Sequence, residues 1–377
     1  MKTRILSFLI IPSLMSLAFL PQSQAVSPPP DGGYAGGNTA EGQSALLGLT
    51  TGLYNTAVGV FSLLSLTDGS FNTGVGAGTL LNNTAIQNTA VGAGTLLSND
   101  SGSENTANGA FALFSNAGGN SNTANGNGAL FNNAGGNENT ATGGAALYSN
   151  TAGNGNVAIG VNTLFTNAAG NNNVAIGGSA LQNSTGSGNI AVGFQAGTSV
   201  GSSGNVIAIG SPGDDVDNSC FIGNIRDVQT QNADAIAVVI DSAGQLGTAS
   251  SSKRFKKEIK LMDNASEAVL ALKPVTFHYK GAKTGTPQFG LIAEEVAAVD
   301  LNLVVRNKNG EIYTVRYEAV NAMLLNEFLK EHHKVQEQQK EIDVLRAELK
   351  EQRDLIENVS DKLEMSKPAP QIVADNQ

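Results

Sequence analysis

The 377-residue chain has no tryptophan, one cysteine (Cys220), and no lysine between Lys2 and Lys253. Each absence excludes something. A lone thiol cannot close a disulfide within the chain, so no disulfide scaffold underlies the fold. Cys220 sits between Ser219 and Phe221-Ile222, a setting that suits a small buried side chain. A bridge between copies of a symmetric oligomer is the alternative. From Val26 to Thr230, ten acids face one base, Arg226. The first two thirds therefore carry no basic footprint for nucleic acid. Aromatic residues are only 5% of the chain, so no binding hot spot stands out. Asp214-Asp215-Val216-Asp217 is one isolated acidic run, read as a solvated turn and not a metal site. No cofactor is expected.

Long hydrophobic runs are also scarce. Ile5 to Leu20 is apolar but broken by Pro12, follows Lys2 and Arg4, and precedes the small residues Ser23-Gln24-Ala25. This pattern predicts a signal peptide over 1–25, with the mature chain starting at Val26. The run is short for a membrane span. No cysteine lies at the cut, which excludes a lipoprotein. The expected location is exported, extracellular or at the cell surface.

A five-residue word fills the middle of the chain: Asn, then Thr, Val or Ile, then Ala, a variable residue, and Gly. Its Asn falls at 38, 55, 72, 88, 105, 122, 139, 156, 173 and 189, at spacings of 16 or 17. A degenerate eleventh copy is placed at Asn205, with one residue inserted before Gly210. A small residue followed by leucine recurs after most words, as in Ala112-Leu113 and Ala129-Leu130. A disordered Gly/Asn tract has no reason to hold such a period; a solenoid does. Each word supplies a strand, and the Gly/Asn clusters supply corners that need positive φ. Stacking would form Leu and Ala ladders in a thin core, and would let Asn amides bond along the stack. So few large apolar groups make a single rod marginal. Side-by-side association would bury a second face. Calcium-binding nonapeptide repeats need an Asp in every copy, which is missing. An ice-binding threonine ladder is broken by Val157, Val174 and Ile190.

The repeat resembles the head of trimeric autotransporter adhesins (YadA-like), most closely at Asn156-Val157-Ala158-Ile159-Gly160 and Asn173-Val174-Ala175-Ile176-Gly177. The resemblance implies a left-handed parallel β-roll. The departure is the C-terminal sequence Lys367 to Gln377, which cannot form the membrane strands of those proteins. No transmembrane barrel is expected.

At Ser250-Ser251-Ser252-Lys253-Arg254-Phe255-Lys256-Lys257-Glu258-Ile259 the composition changes, and charge of both signs becomes dense. The words "SSKRFKKEI", "LKPVTFHYK", "FGLIAEEV" and "TVRYEAVNAMLLNEF" are similar to the intramolecular chaperone of endosialidase, the self-cleaving C-terminal domain of phage tail spikes and fibres. The resemblance implies a homotrimer whose C-terminal domain drives assembly of the preceding fibre. It also implies a Ser–Lys pair five residues apart, here Ser251 and Lys256, cutting between Ser250 and Ser251. The family's usual Asp after the nucleophile is Ser252 here. The chemistry needs a neutral amine to take the serine proton. Five residues place two side chains apart on a helix or a strand. A bend, or a neighbouring chain, must therefore bring the pair together. Glu294 and Glu295 read as charges at a helix N-terminus. His278 reads as a strand residue.

Residues 324, 328, 331, 335, 338, 342, 345, 349, 352, 356, 359 and 363 are spaced four and three apart. Nine are apolar; Glu331, Gln338 and Gln352 are not. This seam predicts a coiled coil. The organisation expected is signal peptide 1–25, linker 26–37, β-roll 38–227, connector strand 228–250, chaperone and autoprotease domain 251–330, coiled coil 331–365 and disordered tail 366–377. The fold class is mainly β with a small α+β domain and a terminal coiled-coil helix, as a homotrimer. The function expected is an exported, adhesin-like trimeric fibre with a single-turnover autopeptidase; its surface or matrix ligand is not legible. The alternative is a non-enzymatic fibre that keeps its chaperone-like domain uncut.

Overall fold

The computed structural model describes residues 33–281 and 285–366. The expected signal peptide, most of the linker, and the tail beyond Ser366 lie outside the described residues. The chain divides into two compact units that part after Gln229.

The first unit is a β-solenoid. Its strands form one 13-stranded sheet in sequential order. Gly33–Tyr34 pairs antiparallel with Asn38–Glu41; from there every pairing is parallel, word on word. Within each strand the central residue, usually Ala, is buried, and its neighbours face outward. The core is two ladders: alanines such as Ala90, Ala107 and Ala124, and leucines from Leu63 through Leu181. Those leucines sit at positive φ, 52° at Leu130 and 48° at Leu181. That geometry is costly for a side chain with a Cβ, on the order of 1–2 kcal/mol per residue. Complete burial of each leucine offsets it. The word's glycine is fixed by two constraints. Gly126 has φ of 139°, and a Cβ there would lie 2.6 Å from the Gly143 carbonyl oxygen.

Two asparagine columns run through the interior. In the first, the word's Asn122 donates from Nδ2 to Asn105 Oδ1 (3.1 Å) and to the Gly136 carbonyl (2.8 Å). Its Oδ1 accepts from the Asn139 backbone N–H and Nδ2. The second column joins Asn83, Asn99, Asn116, Asn133, Asn150 and Asn167, each Nδ2 donating to the previous Oδ1. It stops because the next position is Ser184, buried and too short. Asn167 Oδ1 is left buried without a hydrogen-bond partner. Replacing Ser184 with asparagine should supply the missing donor and raise rod stability by about 1 kcal/mol. A denaturation midpoint unchanged or lowered in the variant contradicts this account of the gap.

Two expectations are corrected. The eleventh word starts at Val206, not Asn205, and needs no insertion. The Val206 N–H donates to Asn189 Oδ1, so Val206 holds the asparagine slot, fully buried. A further copy follows a shortened coil, with Cys220–Ile222 pairing on Ile207–Ile209. Cys220 pairs with Ile207 in the outward-facing register and is therefore exposed, not buried.

The Asp214–Asp217 turn joins the last two strands of the stack. Asp215 Oδ1 accepts from the N–H groups of Gly201 and Ser203, both at 2.9 Å, and Asp217 Oδ1 accepts from Gly204 N–H at 2.7 Å. The Ser203 N–H, then its hydroxyl, then the Gly201 N–H hold the Asp215 carboxyl below its usual range. The folded-state value is depressed, so this contribution is present above the ordinary Asp value of 3.8 and is lost as pH falls through the folded one. Amide protection at Gly201 and Ser203 should therefore fall in acid before that of the central coils. Equal loss at both places would contradict this role for Asp215.

The second unit opens with a hairpin, Val238–Ile240 on Leu246–Thr248. A 3-10 helix, Asp263–Ala271, follows, then the antiparallel pair Val275–Phe277 and Gln288–Gly290. Helix α1 (Ala293–Val299) leads to the hairpin Val304–Arg306/Ile312–Val315 and to helix α2 (Tyr317–Met365). The buried core is small: Val269, Val296, Leu303, Val315, Val320 and Met323. A polar cluster pins the 3-10 helix to α2. Buried Ser266 donates to Glu327, and Asn326 Nδ2 donates to Ser266 Oγ at 2.7 Å. Lys330 pairs with Glu327 at 2.8 Å and, with Ser266, holds the Glu327 carboxyl low. Among the described residues no helix is long and apolar enough to cross a membrane.

Candidate functional site

The junction before the second unit's core is short and exposed. Ser252 is extended (φ −63°, ψ 136°) and precedes a single 3-10 turn, Lys253–Phe255. The turn closes by Phe255 N–H to Ser252 O and Lys256 N–H to Lys253 O, both 3.1 Å. Lys256 is extended again (φ −117°, ψ 144°). Extended, one turn, extended: this is the bend that neither a helix nor a strand provides. It folds the five-residue spacing back on itself, and Lys256 Nζ lies 3.0 Å from Ser251 Oγ. One chain thus suffices to bring the two side chains together, without a neighbouring chain.

The rest of the junction is sparsely held. Ser252 makes no side-chain hydrogen bond to the turn it caps; its N–H donates to Ser250 Oγ at 3.3 Å. Arg254 lies over the Phe255 ring, 4.7 Å from its centroid. Ser251, Lys256 and Phe255 are all exposed in the single chain. A lysine donating to a hydroxyl is the contact geometry of a Ser–Lys pair, but water reaches both groups.

Other candidates stand apart from this pair. His278 Nε2 is 3.1 Å from the Gly285 carbonyl oxygen on an exposed loop. Glu294 and Glu295 occupy the first turn of α1, as read from sequence. No group of three or more His, Cys, Asp or Glu able to hold a metal ion occurs among the described residues. Sequence reasoning missed the Ser266–Asn326–Glu327–Lys330 cluster. Its partners are some sixty residues apart, and no local pattern announces it.

Comparison with known proteins locates one family in this region. Residues 251–305 match the family model described as chaperone of endosialidase. The match begins at Ser251, the serine of the pair. No curated protein matches the chain significantly. No solved structure does so either.

Proposed function

We propose that this chain is an exported, trimeric, adhesin-like fibre whose C-terminal domain assembles the rod and then cuts itself free before Ser251. The observation that carries this reading is the Ser251–Lys256 contact of 3.0 Å, at the first residue of a chaperone-of-endosialidase match that follows the repeat rod in the chain. In the reaction, neutral Lys256 takes the Ser251 hydroxyl proton, and Oγ attacks the Ser250 carbonyl carbon. The C–N bond breaks as Lys256 returns the proton to the departing Ser251 nitrogen, leaving an ester on Ser251 Oγ. Water hydrolyses the ester, giving a carboxylate on Ser250 and a free amine on Ser251.

Association is supported by what the single chain leaves uncovered. The nine apolar seam positions of α2, from Leu324 to Leu363, are 43–70% exposed. A helix with such a seam buries it against copies of itself, and three is the number the family resemblance implies. The hairpin before the junction shows Val238, Val239, Ile240 and Leu246 to solvent on both faces, which an isolated two-stranded hairpin does not sustain. Assembly would bury these groups and exclude water from the Ser251–Lys256 pair. A left-handed parallel β-roll carried outward on this trimer would serve as the surface or adhesive element.

The test is a denaturing gel of the full chain with N-terminal sequencing of the smaller fragment. Two fragments, the smaller starting Ser251-Ser252-Lys253, are expected. One intact band would instead favour a fibre that retains its C-terminal domain.

A further inference from the structure

The rod presents three outward surfaces, and they differ in chemistry. The strand surface is polar in the central coils, through Thr106, Asn108, Thr123, Asn125, Thr140 and Thr142. A second surface carries Asn120, Asn137, Asn154 and Asn171, whose amides already bond to one another along the rod. The third carries an unbroken apolar column from Leu47 through Leu97 to Phe114, Phe131, Tyr148 and Phe165, one residue per coil. Its rings stack at centroid distances of 4.9, 4.9 and 5.2 Å, within 11° of parallel. The aromatic part of the column lies on or beside the coils whose strand surface is most polar.

We propose that this column is the surface along which rods of the same chain pack on one another. The inference rests on the trimeric reading above and adds to it which surface faces inward. Each ring face is taken by the neighbouring ring, so edges remain half-exposed. A saccharide needs an open ring face and does not fit; a flat apolar partner does. A second copy supplies one. Copies packed in parallel and in one register bring equal heights of their rods together. An apolar column that runs straight along the stack then meets its own counterpart over its whole length. The Leu and Ala core of one rod is thin, so a second apolar layer is what the rod lacks.

Cysteine cross-linking of the full chain tests the assignment, in a Cys220→Ser background that removes the native exposed thiol. Phe131→Cys places a thiol in the column, Thr123→Cys on the strand surface, and Ala134→Cys in the turn before Asn137, outside the column; Thr123 and Ala134 are exposed. After mild oxidation, Phe131→Cys is expected to shift to a two-chain band on a non-reducing denaturing gel, lost on reduction. The other two are expected to stay single. Linking from Thr123→Cys or Ala134→Cys but not from Phe131→Cys, or from none of the three, overturns the assignment. Sedimentation of the same samples separates the two levels. Trimers without column linking overturn only this inference, whereas single chains overturn the trimeric reading beneath it.

Discussion

Replacing Asn122 with leucine is expected to destabilise the rod by about 2–5 kcal/mol, although the side chains are close in size. The buried amide makes its bonds in both directions along the stack. Leucine leaves the Gly136 carbonyl without its 2.8 Å donor and the Asn139 N–H without its 3.0 Å acceptor. Each buried, unpaired backbone group costs about 1–3 kcal/mol. In a solenoid each coil contacts only its neighbours, so a weak central coil divides the stack. Thr123→Ala, one residue away and exposed, should change stability by less than about 0.5 kcal/mol. Chemical denaturation of both variants checks the contrast. An Asn122→Leu rod as stable as the parent would mean that the ladder is incidental to the fold.

Ser251→Ala and Lys256→Ala are each expected to abolish the cut. Loss of a positioned general base typically costs about 10²–10⁴-fold in rate, and loss of the nucleophile removes the ester-forming step altogether. The more informative variant is Lys256→Arg. It preserves charge, reach and hydrogen bonding to Ser251, but a guanidinium does not give up its proton. A purely structural contact would survive the change. If Lys256 is the base, the Arg variant stays uncut, as the alanine variant does. Cutting at parental rate in Lys256→Arg would remove lysine from the chemistry.

The solenoid was legible because its constraints repeat. Most words need Gly for positive φ and close approach, Ala for the thin core and Asn for the ladder, so the period shows in the sequence. The second asparagine column, Asn83 to Asn167, carried the same signal at the same spacing. It lay between words, where the residues resemble turn formers, and so it was missed. The leucines at positive φ were not legible, since leucine ordinarily avoids that region and only burial compensates. Val206 broke the pattern chemically while keeping it geometrically: its backbone N–H alone donates to Asn189 Oδ1 and closes the ladder's last link. Cys220 was misjudged because its apolar neighbours suggested burial, whereas strand register decides which way it faces. At the junction, the residues and their spacing were legible, but the bend was not. One 3-10 turn depends on ψ angles near 140° on both sides, which composition does not specify.

The proposed function separates alignment from activity. Ser251 and Lys256 meet within one chain, so assembly is not required to bring them together. On the proposed function, what one chain lacks is the exclusion of water, which assembly through the exposed seam of α2 would supply. The most direct test is Ile342→Asp with Leu345→Asp, two exposed seam positions far along α2 from the junction. The account predicts single chains by sedimentation that remain uncut on a denaturing gel, with Ser251 and Lys256 intact. Single chains that cut as fast as the parent would contradict it.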